Sequence, residues 1–200
     1  MKTALLKIAG LGVALAAATV PLTANAELAR GARAPNFSTQ IALAGKPGTF
    51  DLRSALRRGP VVLYFYPKAF TQGCTLEAHA FADATDEFTA AGATVIGMSN
   101  DDIGTLQRFS TEHCRDKFAV GVATPEIIRQ YDVPLKLPPQ YANRAGGNTG
   151  SASNRTSYVI APDGRITLVY SNLDYRDHVR LTLDAVKALR ANHRPNHRQS

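Results

Sequence analysis

The chain has 200 residues, 23 Lys and Arg against 16 Asp and Glu, a formal net charge of +7, and two cysteines. That length suits one domain, and two cysteines allow a single disulfide and no more. The basic excess gathers partly in a polar tail, with no stripe of aromatics interleaved with Arg and Lys, which speaks against nucleic-acid binding.

The first residues, "MKTALLKIAGLGVALAAATVPLTANA", carry basic Lys2 and Lys7, an Ala-rich apolar run and the A-x-A site Ala24-Asn25-Ala26, the three parts of an export signal. Cleavage is expected after Ala26, and the apolar run is too short for a membrane span. The expected folded domain is 27–190, followed by a basic, disordered tail at 191–200. The expected destination is the periplasm. In such an oxidising compartment the plainest reading of Cys74 and Cys114 is one structural disulfide.

Along the domain, "PVVLYFYP" (60–67) is a continuous apolar run with β-branched and aromatic residues, the mark of a strand buried on both faces. "CTLEAHAFADATDEFTAAG" (74–92) sets Leu76, Ala80, Phe81, Ala84 and Phe88 at helical spacing and stops at Gly92. "ATVIGMSN" is a second buried strand. "DDIGTLQRFSTEHCRDK" (101–117) is a helix opened by acidic residues, which favour its positive end. "FAVGVA" is a short strand, and "TPEIIRQYDV" a helix with Pro125 in its first turn. This β-α-β-α-β-α order predicts crossovers and a mostly parallel sheet. The run at 134–154 is rich in Pro, Gly, Asn and Ser and predicts a long loop. "TSYVIAPDGRITLVYS" predicts a hairpin turned at Pro162-Asp163-Gly164. "DYRDHVRLTLDAVKALR" is an amphipathic helix with Val179, Leu183, Val186 and Leu189 on one side. The fold class is α/β, a mixed central sheet flanked by helices.

Cys74 falls where the first of these strands gives way to a helix. Unpaired backbone N–H groups and the helix dipole favour an anion there, and a thiol so placed is nucleophilic as the thiolate. The segment "YFYPKAFTQGCTLEAHAF", with its Pro-x-x-x-Thr-x-x-Cys string, resembles the active-site segment of the peroxiredoxin family of thiol peroxidases. Within that family it is most similar to the branch called PrxQ or bacterioferritin comigratory protein. The likeness runs from "GARAPNF" through "GPVVLYFYP" to "NRTSYVIAPDGRI", nearly the whole mature chain.

The resemblance implies a thioredoxin-like fold, no cofactor and no metal, and a hydroperoxide substrate. It implies that Cys74 attacks the peroxide's terminal oxygen and becomes a sulfenic acid. Arg155, just before a strand, would stabilise the thiolate and donate to the peroxide oxygens. The Thr71 hydroxyl would bond thiolate and substrate, and backbone N–H groups near Gly73 and Cys74 would add donors. Pro67 would restrict the loop and shield the sulfur from water, and Glu77 matches a family position beside the substrate. Alone, each has an ordinary role. Pro67 can end a strand, Thr71 can cap a helix, Arg155 can be a surface cation and Glu77 a first-turn acid. Their joint spacing sets them apart. Tyr64, Phe65 and Tyr66 read as core and pocket wall.

The chain departs from the branch in one place. Many members carry a resolving cysteine five residues after the peroxidatic one, where His79 stands here. Others place it on the next helix, where Cys114 is the candidate. The resemblance thus implies a Cys74–Cys114 disulfide after oxidation, formed through local movement because the two Cα atoms must come within about 7 Å. The alternative is a single-cysteine cycle with an external thiol. The implied partner is a periplasmic thioredoxin-like reductant, with no nucleic acid and no membrane, and the chain itself a monomer. Two rival functions stand beside this one. A thioredoxin-fold thiol–disulfide exchange protein would need a Cys-x-x-Cys pair that Cys74 lacks. A metal chaperone would use Cys74, His79, His113 and Cys114, a poorly spaced set whose two histidines read more simply as exposed.

Overall fold

The computed structural model describes residues 28–135 and 152–192. The expected export signal, most of the 134–154 loop and residues 193–200 of the expected tail lie outside them. The chain opens with a hairpin of β1 (Ser38–Leu43) and β2 (Lys46–Asp51), turned at Ala44 and Gly45, both at positive φ. There follow α1 (Leu52–Leu56), β3 (Val61–Phe65), α2 (Gln72–Ala90), β4 (Thr94–Ser99), α3 (Ile103–Glu112), β5 (Ala119–Val122) and α4 (Pro125–Gln130). The chain closes with β6 (Thr156–Ile160), β7 (Ile166–Ser171) and α5 (His178–Asn192).

The strands form one sheet in the order β2-β1-β5-β4-β3-β6-β7. β3, β4 and β5 run parallel, as their helical crossovers require. The other four strands join antiparallel, so the sheet is mixed, and mostly parallel only at its centre. The opening hairpin is not anticipated by the sequence pattern. Its stretch "STQIALAGKPGTFD" holds Gly45, Pro47 and Gly48 and buries little of β2, so period-two alternation is faint there. Pro47 is tolerated because β2 is an edge strand.

β3 is buried throughout because helices cover both faces of the sheet. Val62, Tyr64 and then Tyr66 enter a core with Phe81 and Phe88 of α2, Leu106 and Phe109 of α3, and Leu183 and Val186 of α5. Val61, Leu63 and Phe65 enter the opposite core with Leu52, Ala55 and Leu56 of α1 and Ile127 and Ile128 of α4. Alternation along one strand thus feeds two cores. Across from Tyr64 in register stands Gly97 of β4, where a Cβ would lie 2.6 Å from the Tyr64 Cζ. The ring lies over the space a side chain would fill.

α2 begins two residues before Cys74 and ends ahead of Gly92, whose φ of 81° makes the stop. Its buried stripe is Cys74, Glu77, Ala78, Phe81, Ala82 and Phe88. Leu76, expected in that stripe, is 39% exposed. The Glu77 carboxyl group occupies the buried face instead, so counting apolar residues aims the front of the helix the wrong way. α3 stops at Glu112, short of the expected end, and Arg115 and Asp116 adopt left-handed φ values of 51° and 59°. Cys114 therefore follows the helix and does not lie within it. Asp102 caps α3 by accepting the Thr105 N–H at 2.9 Å, and Thr124 caps α4 ahead of Pro125. The β6–β7 hairpin turns at Gly164, φ 83°. α5 buries His178, Thr182, Leu183 and Val186, with Val179 and Leu189 packed beside them. Among the described residues no helix is long and apolar enough to cross a membrane.

Candidate active site

The site grows from the junction of β3 and α2. Tyr66 N–H still reaches Met98 O at 3.0 Å, and the half-buried Pro67, lacking an N–H, then ends the ladder. Three hydrogen bonds pin the loop that follows. Ala69 N–H and Ser99 Oγ both donate to Asp101 Oδ2, at 2.7 and 2.9 Å, and Ser153 Oγ donates to Tyr66 O at 2.8 Å. Phe70 takes a left-handed φ of 63°, a conformation that costs an aromatic residue on the order of 1–3 kcal/mol. Its ring meets Phe109 and His113 edge-on, under the Arg108 guanidinium at 5.4 Å from the centroid. Thr71 stands at the N-cap of α2 without using its side chain there. Its hydroxyl donates to Lys68 O at 2.9 Å and so fastens the loop.

Cys74 is the third residue of α2 and only 2% exposed. The first helical bond runs from Thr75 N–H to Thr71 O, so the preceding N–H groups of the turn have no intrahelical acceptor and form an anion-favouring end. Arg155 closes over this end from the start of β6, 4% exposed. Its Nη2 donates to Cys74 Sγ at 3.4 Å, its Nη1 to Glu77 Oε2, and its Nε to Leu173 O at 2.9 Å. A side chain at Gly73 would bring a Cβ to 3.2 Å from Arg155 Nη2, so glycine here lets the guanidinium approach the turn. Burial works against the Arg155 charge, but Glu77 and Cys74 outweigh it and raise the group's pKa. Arg155 is therefore no surface cation, and Glu77, fully buried, is no solvent-facing first-turn acid.

Beyond Glu77 lies His178 of α5, a residue that the sequence pattern alone does not single out. Its Nε2 is 2.9 Å from Asn172 O and its Nδ1 is 2.8 Å from Ser157 Oγ. A carbonyl only accepts, so Nε2 donates, and Nδ1 of the neutral ring accepts from Ser157. Burial pushes His178 down to about 4, which keeps it neutral near pH 7. Burial also pushes the Glu77 carboxyl up to about 8, against the pull of Arg155. Glu77 Oε1 has no hydrogen-bond partner among the described residues and sits 3.7 Å from His178 Nδ1. The signal that could have found His178 is modest: a histidine and Thr182 four residues on share the apolar face of α5.

Cys114 is fully buried in the same apolar core as Cys74, and both thiols are free. The expected structural disulfide is not formed. Burial, reinforced by Asp116, pushes the Cys114 thiol well up. Its turn is tied to α2 by His113 Nδ1 to His79 Nε2 at 3.2 Å, Arg115 to Asp83 at 2.5 Å and Lys117 to Asp86 at 3.5 Å. The two histidines are thus half-buried and face each other, contrary to the exposed reading. Among the described residues no three His, Cys, Asp or Glu side chains converge on a point that could hold a metal ion.

Of the expected set, Cys74, Arg155, Glu77 and Gly73 meet at one place, Pro67 and Thr71 shape the loop beside it, and Cys114 waits behind a pinned turn. Such a site suits attack by a thiolate on an electrophile that a guanidinium can orient. Residues 30–169 match the model of the AhpC/TSA family. Chloroplastic peroxiredoxin Q of Arabidopsis thaliana is 31% identical over 164 residues, 82% of this chain and 69% of that one. The structure of peroxidoxin BcpB from Mycobacterium tuberculosis aligns with a TM-score of 0.64 at 29% identity, covering 80% of this chain and 96% of that one. Bacterioferritin comigratory protein of Xanthomonas campestris, which has alkyl peroxide reduction activity, aligns with a TM-score of 0.63 at 26% identity, covering 76% of this chain and 91% of that one.

Proposed function

The chain belongs to the AhpC/TSA family, in its peroxiredoxin Q branch, and is a thiol-dependent peroxidase; from that premise we propose that Cys74 is the peroxidatic nucleophile. The contact of Arg155 Nη2 with Cys74 Sγ at 3.4 Å, in the first turn of a helix, carries this reading. The thiolate attacks the terminal oxygen of the hydroperoxide. An S–O bond forms, the O–O bond breaks, and the alkoxide leaves with the bonding pair and takes up a proton. The sulfur, oxidised by two electrons, is left as a sulfenic acid. Arg155 and the backbone N–H groups of Gly73 and Cys74 stabilise the negative charge that moves from sulfur to the departing oxygen. Thr71 and Pro67 hold the loop that walls the sulfur, and Glu77 holds Arg155.

The substrates we propose are hydrogen peroxide and small organic hydroperoxides, the latter supported by the alkyl peroxide reduction of the Xanthomonas campestris relative. Stopped-flow mixing with peroxide tests the assignment. Cys74→Ser is expected to abolish peroxide consumption, and a variant that still consumes it would remove Cys74 from its role.

Cys114 is proposed as the resolving thiol. Its sulfur attacks the Cys74 sulfenic acid, an S–S bond forms and water leaves. The turn at 113–117 must first release Cys114, which supports a mechanism of local opening. Mass spectrometry of peroxide-treated protein is expected to find the Cys74–Cys114 bridge. A Cys114→Ser variant that turns over with a thioredoxin-type donor as well as wild type would argue for the single-cysteine cycle. An exported, monomeric enzyme reduced by a periplasmic thioredoxin-like protein completes the proposal. The tripartite leader supports the export, and the expected N-terminus of the periplasmic protein is Glu27.

A further inference from the structure

Two acids meet one buried cation. Arg155 holds Cys74 through Nη2 and Glu77 through Nη1, and all three residues are buried. If both acids were ionised, the pocket would carry one negative charge with no partner, a strongly disfavoured state in a low-dielectric interior. The groups that face Glu77 do not relieve it. His178, from α5, presents Nδ1 at 3.7 Å, and that nitrogen carries no proton to donate, because Nε2 donates to Asn172 O and Nδ1 accepts from Ser157. Tyr64, from β3, has a buried hydroxyl with no hydrogen-bond partner among the described residues, and Asp174 and Asp177 act on His178 from the turn ahead of α5. Glu77 Oε1 itself is buried without a donor among the described residues. An ionised carboxylate oxygen left in that environment costs far more than a neutral carboxyl.

We infer that Cys74 and Glu77 share a single negative charge across Arg155, Glu77 holding a proton on Oε1 while Cys74 is a thiolate and releasing it when Cys74 is oxidised. The inference rests on Cys74 being the peroxidatic residue. The step balances: thiolate, hydroperoxide and Glu77 carboxyl become sulfenic acid, alcohol and Glu77 carboxylate. The S–O bond forms, the O–O bond breaks, the sulfur gives up two electrons, the alkoxide takes one proton from water and Glu77 returns one. Arg155 passes from one counter-ion to the other and never holds two. The high proton affinity that burial gives Glu77 agrees with its holding a proton in the reduced enzyme. Glu77 is thus a positioning residue that leaves the guanidinium's charge to the sulfur in the reduced enzyme.

Infrared difference spectroscopy tests it on the full chain near neutral pH, in a Cys114→Ser background so that oxidation stops at the sulfenic acid. The reduced protein is expected to show the carbonyl stretch of a protonated carboxyl. That band shifts with isotopically labelled glutamate and disappears on addition of peroxide. It is expected to be absent from Glu77→Gln, and from Cys74→Ser, where Arg155 has no thiolate and Glu77 ionises. A band that survives oxidation, or survives in Cys74→Ser, overturns the exchange, as does its absence from the reduced protein. Should Glu77→Gln fail to fold, the labelled protein and Cys74→Ser carry the test. Peroxide consumption by Cys74→Ser reports separately on the nucleophile, so the two readings fail independently.

Discussion

A planar guanidinium gives Arg155 three separate uses, one for each of Cys74, Glu77 and Leu173. Lysine offers a point charge in place of that fork. Arg155→Lys is therefore expected to slow Cys74 oxidation by about 10²–10³-fold, the usual cost of one preorganised donor, as read by stopped-flow with peroxide. Glu77 and His178 predict a pH dependence of stability in the reduced protein. Glu77 is raised from 4.5 to about 8, so between those values the fold keeps a proton that the unfolded chain has lost, and stability falls as pH rises. His178 is lowered from 6.5 to about 4, so between those values the unfolded chain keeps a proton that the fold excludes, and stability rises with pH. The two slopes oppose each other between 4.5 and 6.5. Urea midpoints are expected to rise with pH between 4.5 and 6.5 more steeply in Glu77→Gln than in wild type. Cys74, Arg155 and Glu77 are legible in the sequence because their types and spacing are joint requirements of one reaction. His178 is not, because its role depends on a neighbour 101 positions away, Glu77, that only folding supplies.

At the level of single elements, β3 and its partner β4 interlock through Tyr64 and Gly97. The Tyr64 ring is stacked on Phe81 with centroids 4.3 Å apart and has Tyr66 beside it at 5.6 Å, so it has no room to yield. Gly97→Ala is expected to cost about 1–3 kcal/mol through overpacking, measured by denaturant titration. Tyr64→Phe removes a buried hydroxyl that has no partner among the described residues and is expected to stabilise by about 1 kcal/mol. β3 is plain in the sequence because a strand covered by helices on both faces needs an unbroken apolar run, rich in β-branched and aromatic side chains. The β6–β7 hairpin is plain because Pro-Asp-Gly interrupts two alternating runs. The front of α2 misleads for the opposite reason. Its buried face carries Cys74 and Glu77, and chemistry there overrides hydrophobic patterning. The early end of α3 is hidden too, since nothing local marks Arg115 and Asp116 as left-handed.

Across the molecule, the site depends on the sheet order. Cys74 and Arg155 are 81 positions apart, and they meet because β6 runs antiparallel to β3 with Thr156 opposite Phe65. The end of β3 that launches the nucleophile is the end at which β6 begins. The turn at 113–117 is fastened to α2 at three points, and resolution by Cys114 requires those fastenings to part. Hydrogen exchange at residues 113–117 is expected to quicken when peroxide is added to wild type. It is expected to stay slow in Cys114→Ser, where no bridge captures the open turn.

The pairing of Thr156 with Phe65 has a further consequence. Side chains alternate faces along a strand, so a slip of β6 by one residue would carry the guanidinium to the far side of the sheet and leave the sulfur without its cation. Just upstream of β6, Asn154 N–H holds Val133 O and Leu135 N–H holds Ala152 O, a clasp that fixes the strand's starting point. Parting either arm of that clasp would therefore free β6 to shift, and the sulfur would lose its cation with every reactive side chain still present in the chain.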